Sequence, residues 1–146
     1  MKDNYLHVLL ITASALHRDR SRKQFQKLNL SDGQPKVLSV LLAMEGCLQK
    51  DLAEACHVKA ATMTSLLKNM ERNELIIKKK EFVSGGKRAY RIFFTEKGRK
   101  LAKKVNCIVG KIEEESFLGF SNKEREQFLE LFSRVAKNLK GLEENT

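Results

Sequence analysis

Ala61, Thr64, Ser65, Lys68 and Arg72 recur at helical spacing within the stretch KAATMTSLLKNMERNELI. Two hydroxyls, two long cations and one small residue on one face supply the donors, acceptors and slimness needed to read base edges in a DNA major groove. Met63, Leu66, Leu67 and Met70 fall on the opposite side of the same 3.6-residue period, so the segment predicts an amphipathic helix that presents its polar face by burying its apolar one. A solvated helix over a core has the same period. What favours a nucleic-acid role is the stretch that follows, IKKKEFVSGGKRAYRIFFT, which predicts a strand, a Ser84-Gly85-Gly86 loop and a second strand with Lys87 and Arg88 at the tip.

The other reactive side chains form no comparable constellation. There is no glycine loop for phosphates and no nucleophile–base set, so an enzyme is not expected and no cofactor is implied. His7, His17 and His57 have no ligand spacing with one another or with the cysteines, so no metal site is expected. Cys47, Cys56 and Cys107 are odd in number and far apart, a poor disulfide framework that fits a reducing compartment. A sensor thiol needs an accessible, electropositive site. These cysteines read instead as buried structural thiols, and a thiol-based redox-sensing regulator stands as a lesser alternative.

The chain has 146 residues, 42% of them hydrophobic, which suits one compact fold with helical extensions. Its formal net charge of +10 points to a polyanionic partner, nucleic acid or an anionic membrane. Residues 59–104 carry that entire excess, while residues 1–58 carry +2 and residues 105–146 carry −2. Charge is therefore focused on the helix–hairpin stretch. No segment approaches the run of about 20 apolar residues that spans a bilayer. The partly apolar stretch at 5–16 leads into Arg18, Arg20, Arg22 and Lys23 and has no cleavage site, so a cytoplasmic protein is expected.

The elements that must position the basic stretch read as follows. Leu6, Leu9, Leu10, Ala13 and Leu16 predict an amphipathic helix over 3–27. Ser31 and Gln34 have capping-box spacing, with Pro35 in the first turn of a helix that buries Val37, Leu38, Leu41 and Leu42 and stops at Gly46. Cys47–Leu48 can pair at a sheet edge. A short helix over 49–56 and a turn at 57–59 lead into the recognition helix, which Asn73 is expected to end in a left-handed conformation. Strands are expected at 75–82 and 89–94. Thr95 caps a long helix running to about 118, and Ser121 with Glu124 caps a last helix whose Phe128, Phe132, Val135, Leu139 and Leu142 form a seam in need of a partner helix.

Assembled in this order, the chain resembles the MarR family of bacterial winged-helix transcription regulators over nearly its full length. The resemblance rests on DLAEACHVKAATMTSLLKNMERNELI, GKRAYRIFFTEKGRKLA and the capped terminal helix after GFS. It implies a mainly α fold with a small β-hairpin wing: a dimerisation helix over 1–30, a winged helix–turn–helix lobe over 31–95 and dimerisation helices over 96–146. It further implies a homodimer, joined through residues such as Leu6, Leu9, Leu10, Phe128, Phe132, Val135 and Leu139, with each lobe on one half of a pseudo-palindromic operator. Family DNA contacts carry over to Ala61, Thr62, Thr64, Ser65 and Lys68, and to Lys87 and Arg88 on the wing. A small aromatic effector would bind a crevice near Tyr5, Phe25 and Tyr90 and release a repressor from its operator.

Three departures from the family pattern stand out. Lys59 occupies the N-cap of the recognition helix, where the family usually has Ser, Thr or Asp, so a bound phosphate would have to compensate the lost cap and Lys59 would count as a DNA contact. Gly86 replaces the aspartate that commonly orients the wing arginine. Glu74 replaces the usual glycine after the recognition helix. From another functional class, a winged-helix interaction module that binds a protein or structured RNA through the same basic face is the alternative.

Overall fold

Burial of one face of each of α2 to α5 organises the core of residues 5–143, the part described by the computed structural model. The elements are α1 (Tyr5–Gln26), α2 (Gln34–Met44), α3 (Gln49–Ala55), α4 (Ala60–Arg72), β1 (Ile76–Val83), β2 (Lys87–Phe94), α5 (Glu96–Ser116) and α6 (Asn122–Glu143). No helix among the described residues is long and apolar enough to cross a membrane. The chain divides into two compact units, residues 1–112 and 113–146.

In the first unit, α2 contributes Val37, Leu38 and Leu41 to the core, α3 contributes Leu52, Ala53 and Cys56 at its C-cap, and α4 contributes Met63, Leu67 and Met70. Leu75, Ile76, Ile92 and Phe94 close this core from the base of the hairpin, and Ala102 and Val105 of α5 complete it. The apolar face of α4 is thus buried as its periodicity requires, with Leu66 half-buried at the edge.

Helix ends correct two expectations. Ser31 and Gln34 form no capping box: Gly33, at φ 90°, is the N-cap of α2 with no side-chain cap, and the Ser31 carbonyl accepts the Gln34 N–H at 3.2 Å. The backbone has closed the turn, leaving the Ser31 hydroxyl no helix amide to serve. At the end of α4, Glu74 rather than Asn73 is left-handed, at φ 59° against −84°. The Leu75 amide bonds to the Met70 carbonyl at 2.9 Å and that of Glu74 to Glu71 at 3.0 Å, the six-to-one and five-to-two pair that places the left-handed residue one position beyond the cap. Glu74 therefore does the work of the family's glycine, against the roughly 1–2 kcal/mol that this conformation costs a residue with a Cβ.

The hairpin pairs antiparallel from Ile76↔Phe94 to Val83↔Lys87. The chain before α3 adds a one-residue third strand: Leu48 bridges Arg91, the Gly46 amide donates to the Ile92 carbonyl at 2.8 Å, and the Ile92 amide donates to the Cys47 carbonyl at 3.0 Å. Thr95 caps α5 as expected, its hydroxyl accepting from the Gly98 amide at 3.0 Å while donating to the Glu74 carbonyl at 2.6 Å.

The second unit contains the last turns of α5 and all of α6. Here the capping box does form: the Ser121 amide donates to Glu124 Oε1 at 2.9 Å and the Glu124 amide to Ser121 Oγ at 3.1 Å. The Ser121 amide first, and the Ser121 hydroxyl after it, hold the Glu124 carboxyl below its usual value. Phe117, Phe120 and Phe128 meet edge-to-face, and Phe128 stacks on Phe132 at 5.6 Å between ring centroids.

Candidate nucleic-acid interface

Two devices hold α4 and the hairpin in a fixed relation within the first unit. His57 takes a left-handed conformation (φ 53°) in the turn between α3 and α4, and half-buried Val58 packs against the core between them. At the hairpin, Arg91 donates from Nη1 to the Gly46 carbonyl at 2.9 Å and from Nε to Glu81, so one guanidinium ties both strands to the segment leading into α3. Arg91→Ala is expected to speed amide exchange across β2 about fivefold, since a partly exposed charge-assisted bond of this kind contributes about 1 kcal/mol. Unchanged protection at Ile92 and its neighbours in hydrogen–deuterium exchange would show that the fastening is redundant.

A second clamp secures the start of α5. Arg99 grips Glu45 with two bonds of 2.7 Å, and the Phe94 amide donates to the same carboxylate at 3.2 Å. The Arg99 hydrogen bond holds the Glu45 carboxyl below its usual value, against a smaller opposing effect of burial.

On α4, Lys59, Ala61, Thr62, Thr64, Ser65, Lys68 and Arg72 are all exposed. Lys59 is the N-cap and makes no side-chain cap bond, so the first amides of α4 have no side-chain acceptor there. Thr64 differs from its neighbours. Its hydroxyl donates to the Ala60 carbonyl at 3.0 Å and accepts from Gln49 Nε2 at 3.1 Å. What Thr64 retains for a base edge is one lone pair and its methyl group, which suits a thymine methyl. Gln49 thereby becomes a supporting residue, and its pairing with Thr64 across 15 positions has no local signal.

The hairpin tip carries exposed Lys87 and Arg88. Lys78 lies over the Tyr90 ring at 5.8 Å and Lys79 over Phe93 at 4.8 Å, so two cations of the lysine run are steered by aromatic faces on opposite sides of the sheet.

The first unit also holds a cavity of about 740 Å³. Ser14, His17, Arg18, Ser21, Arg22 and Phe25 of α1 line it together with residues 30–33, 35–36 and 39–40 and Val109 and Ile112 of α5. The Arg22–Asp32 ion pair, at 3.2 Å, joins two of its lining residues. Of the three aromatics expected near an effector, only Phe25 lines it. Tyr5 lies 20 residues earlier on the same helix, about 30 Å away at the helical rise, and is 56% exposed. Tyr90 packs at the core margin on β2.

The thiols divide by environment. Cys56 is buried and Cys47 half-buried, and burial pushes both thiols up, away from thiolate. Cys107, expected to be buried, is exposed on α5 because it lies on that helix's outer face. Among the described residues no cluster of His, Cys, Asp and Glu is arranged to hold a metal ion.

Comparison with known proteins converges on one family. The MarR family model matches residues 30–81, which span α2, α3, α4 and most of β1. A solved MarR-type regulator from Listeria monocytogenes, described as complexed with a 26-mer DNA, superposes with a TM-score of 0.81 at 29% identity, covering 95% of this chain and 90% of that one. Over residues 30–81 in sequence, and over most of its length in fold, the chain is similar to MarR-family regulators. Two Bacillus subtilis relatives are each 29% identical to this chain. One is the uncharacterized HTH-type transcriptional regulator YybA, matched over 82% of this chain and 78% of its own length. The other is the organic hydroperoxide resistance transcriptional regulator, matched over 91% and 86%.

Proposed function

We propose that this chain is a dimeric, sequence-specific regulator of the MarR family that represses transcription from a pseudo-palindromic operator and is released by a small-molecule effector. The observation that carries this reading is the exposed polar face of α4 standing beside a basic wing in the same compact unit, in a chain 29% identical to a DNA-complexed relative. Thr62, Thr64, Ser65 and Lys68 read base edges in the major groove, with Ala61 giving clearance. Lys59 and the first amides of α4 take a phosphate, a natural ligand for an uncapped helix start. Lys87 and Arg88 enter the flanking minor groove, where shape readout favours A·T-rich sequence.

Dimerisation follows from what the single chain leaves uncovered. No residue of α1 is buried, and Leu6 and Leu9 are 50% and 47% exposed. On α6, Phe128, Phe132 and Leu139 are exposed as well, with Val135 half-buried. Twenty-two-residue helices gain most of their stability from packing an apolar face, so both faces are assigned to the partner protomer. The cavity against α1 has cations and hydroxyls over an apolar floor, which suits a small organic acid. The chain works by binding rather than by turnover, in the cytoplasm with its DNA.

A protection footprint on the DNA upstream of the chain's own gene tests the reading, the expected result being two protected half-sites related by a dyad. Lys68→Ala and Arg88→Ala should each weaken binding to that site about tenfold with an unchanged thermal melt. A uniform, sequence-independent ladder of protection would remove specific recognition from the account.

A further inference from the structure

On the wing, Phe82 is 73% exposed, the most exposed large apolar side chain among the hairpin's described residues. Its cross-strand partner is Arg88, and directly paired residues project from the same face of a sheet. Following that face inward gives Lys80 with Tyr90, Lys78 with Ile92, and Ile76 with Phe94. Ile92, Ile76 and Phe94 are buried in the core, so the face that begins as core lining ends at the tip as an exposed phenyl ring beside a guanidinium. Arg88 lies four residues beyond Ile92, about 13 Å of strand, which exceeds the roughly 7.5 Å depth of a minor groove. The turn between the strands is slim: Gly85 and Gly86, at φ 84° and 72°, have open space where a side chain would begin.

We propose that Phe82 is a specificity-determining DNA contact whose ring enters the minor groove beside Arg88 and wedges against a base step. This rests on the operator-binding reading above. Charge selects duplex DNA over an apolar protein partner. Glu81 is the sole acidic residue of residues 76–94, it is paired with Arg91, and the same stretch carries six Lys and Arg. A phenyl ring amid that charge reaches no apolar surface in the chain's own core, whereas a base step opened by Arg88's hold on the groove supplies one. Pyrimidine–purine steps open most readily, so the ring converts local deformability into sequence preference at positions that α4 does not reach.

The test uses the full chain and the footprinted operator duplex, with 2-aminopurine placed at the step facing the wing. The parent protein should raise 2-aminopurine fluorescence on binding and lose affinity when that step is changed from TA to a G·C-rich one. Phe82→Ala should bind the operator about tenfold more weakly, the scale of an aromatic–base contact. It should also give no fluorescence rise, show no step preference and keep the parent's melt. Phe82→Leu, which retains an apolar wedge, should recover part of both signals. Phe82→Ala binding with the parent's affinity, fluorescence change and step preference overturns the wedge and leaves operator binding standing. A parent protein that protects no duplex overturns the operator reading and the wedge with it.

Discussion

Gly98→Ala is expected to lower the thermal midpoint by roughly 10 °C, corresponding to about 3 kcal/mol in a chain of this size. Helix propensity alone argues the opposite, since Ala within a helix is favoured over Gly by about 1 kcal/mol. Packing reverses the sign. A Cβ at Gly98 would stand 1.8 Å from the Leu75 carbonyl oxygen and 2.7 Å from its carbon. Those are backbone atoms, and they are held: the Thr95 amide donates to the Leu75 carbonyl at 3.1 Å, and the Leu75 amide closes α4 on Met70. The first turn of α5 can accept a methyl group only by lifting off the end of the recognition helix. Melting by circular dichroism at fixed protein concentration measures the effect, and a midpoint equal to or above the parent's would show that the junction yields.

Leu139→Glu should have the largest effect on operator binding, a loss of about a hundredfold or more, because separated protomers lose the effective concentration that joins two half-site contacts. Leu139 is 54% exposed on α6, so the substitution removes little from the protomer itself. Phe128 would be a poorer probe, since its ring packs on Phe117, Phe120 and Phe132 and its removal disturbs the turn between α5 and α6. Across a two-fold axis the new carboxylates would face an apolar surface or each other, both unfavourable. Sedimentation equilibrium should show monomer with unchanged far-ultraviolet dichroism. A Leu139→Glu protein that stays dimeric would move the interface off this stretch of α6.

The contrast between the two capping boxes shows how far the residues alone reach. Ser121 and Glu124 form theirs because the required partners lie within one turn and nothing else claims them. Ser31 and Gln34 have the same spacing, yet Gly33 turns the chain and the bonds go to backbone. The inward face of α4 was legible because Met63, Leu67 and Met70 repeat with the helix, and the hairpin because its strands flank a glycine pair. The left-handed residue after α4 was misassigned by one position. Asn73 has the better local propensity, but the paired amide bonds at the helix end select Glu74.

Periodicity was sufficient to predict a helix, a turn, a second helix with its polar face outward and a two-stranded hairpin, and the concentration of positive charge in residues 59–104 pointed to a polyanionic partner. Both are properties of neighbours along the chain, whose spacing maps directly onto direction around a helix or strand. Tertiary structure alone decided that the Thr64 hydroxyl is engaged by Gln49, that Arg91 fastens the wing to Gly46, that Arg99 clamps Glu45, and where the cavity that Phe25 lines is formed. The three bonded pairs join residues 15 to 54 positions apart, and which polar groups meet over such separations is set by how the helices pack.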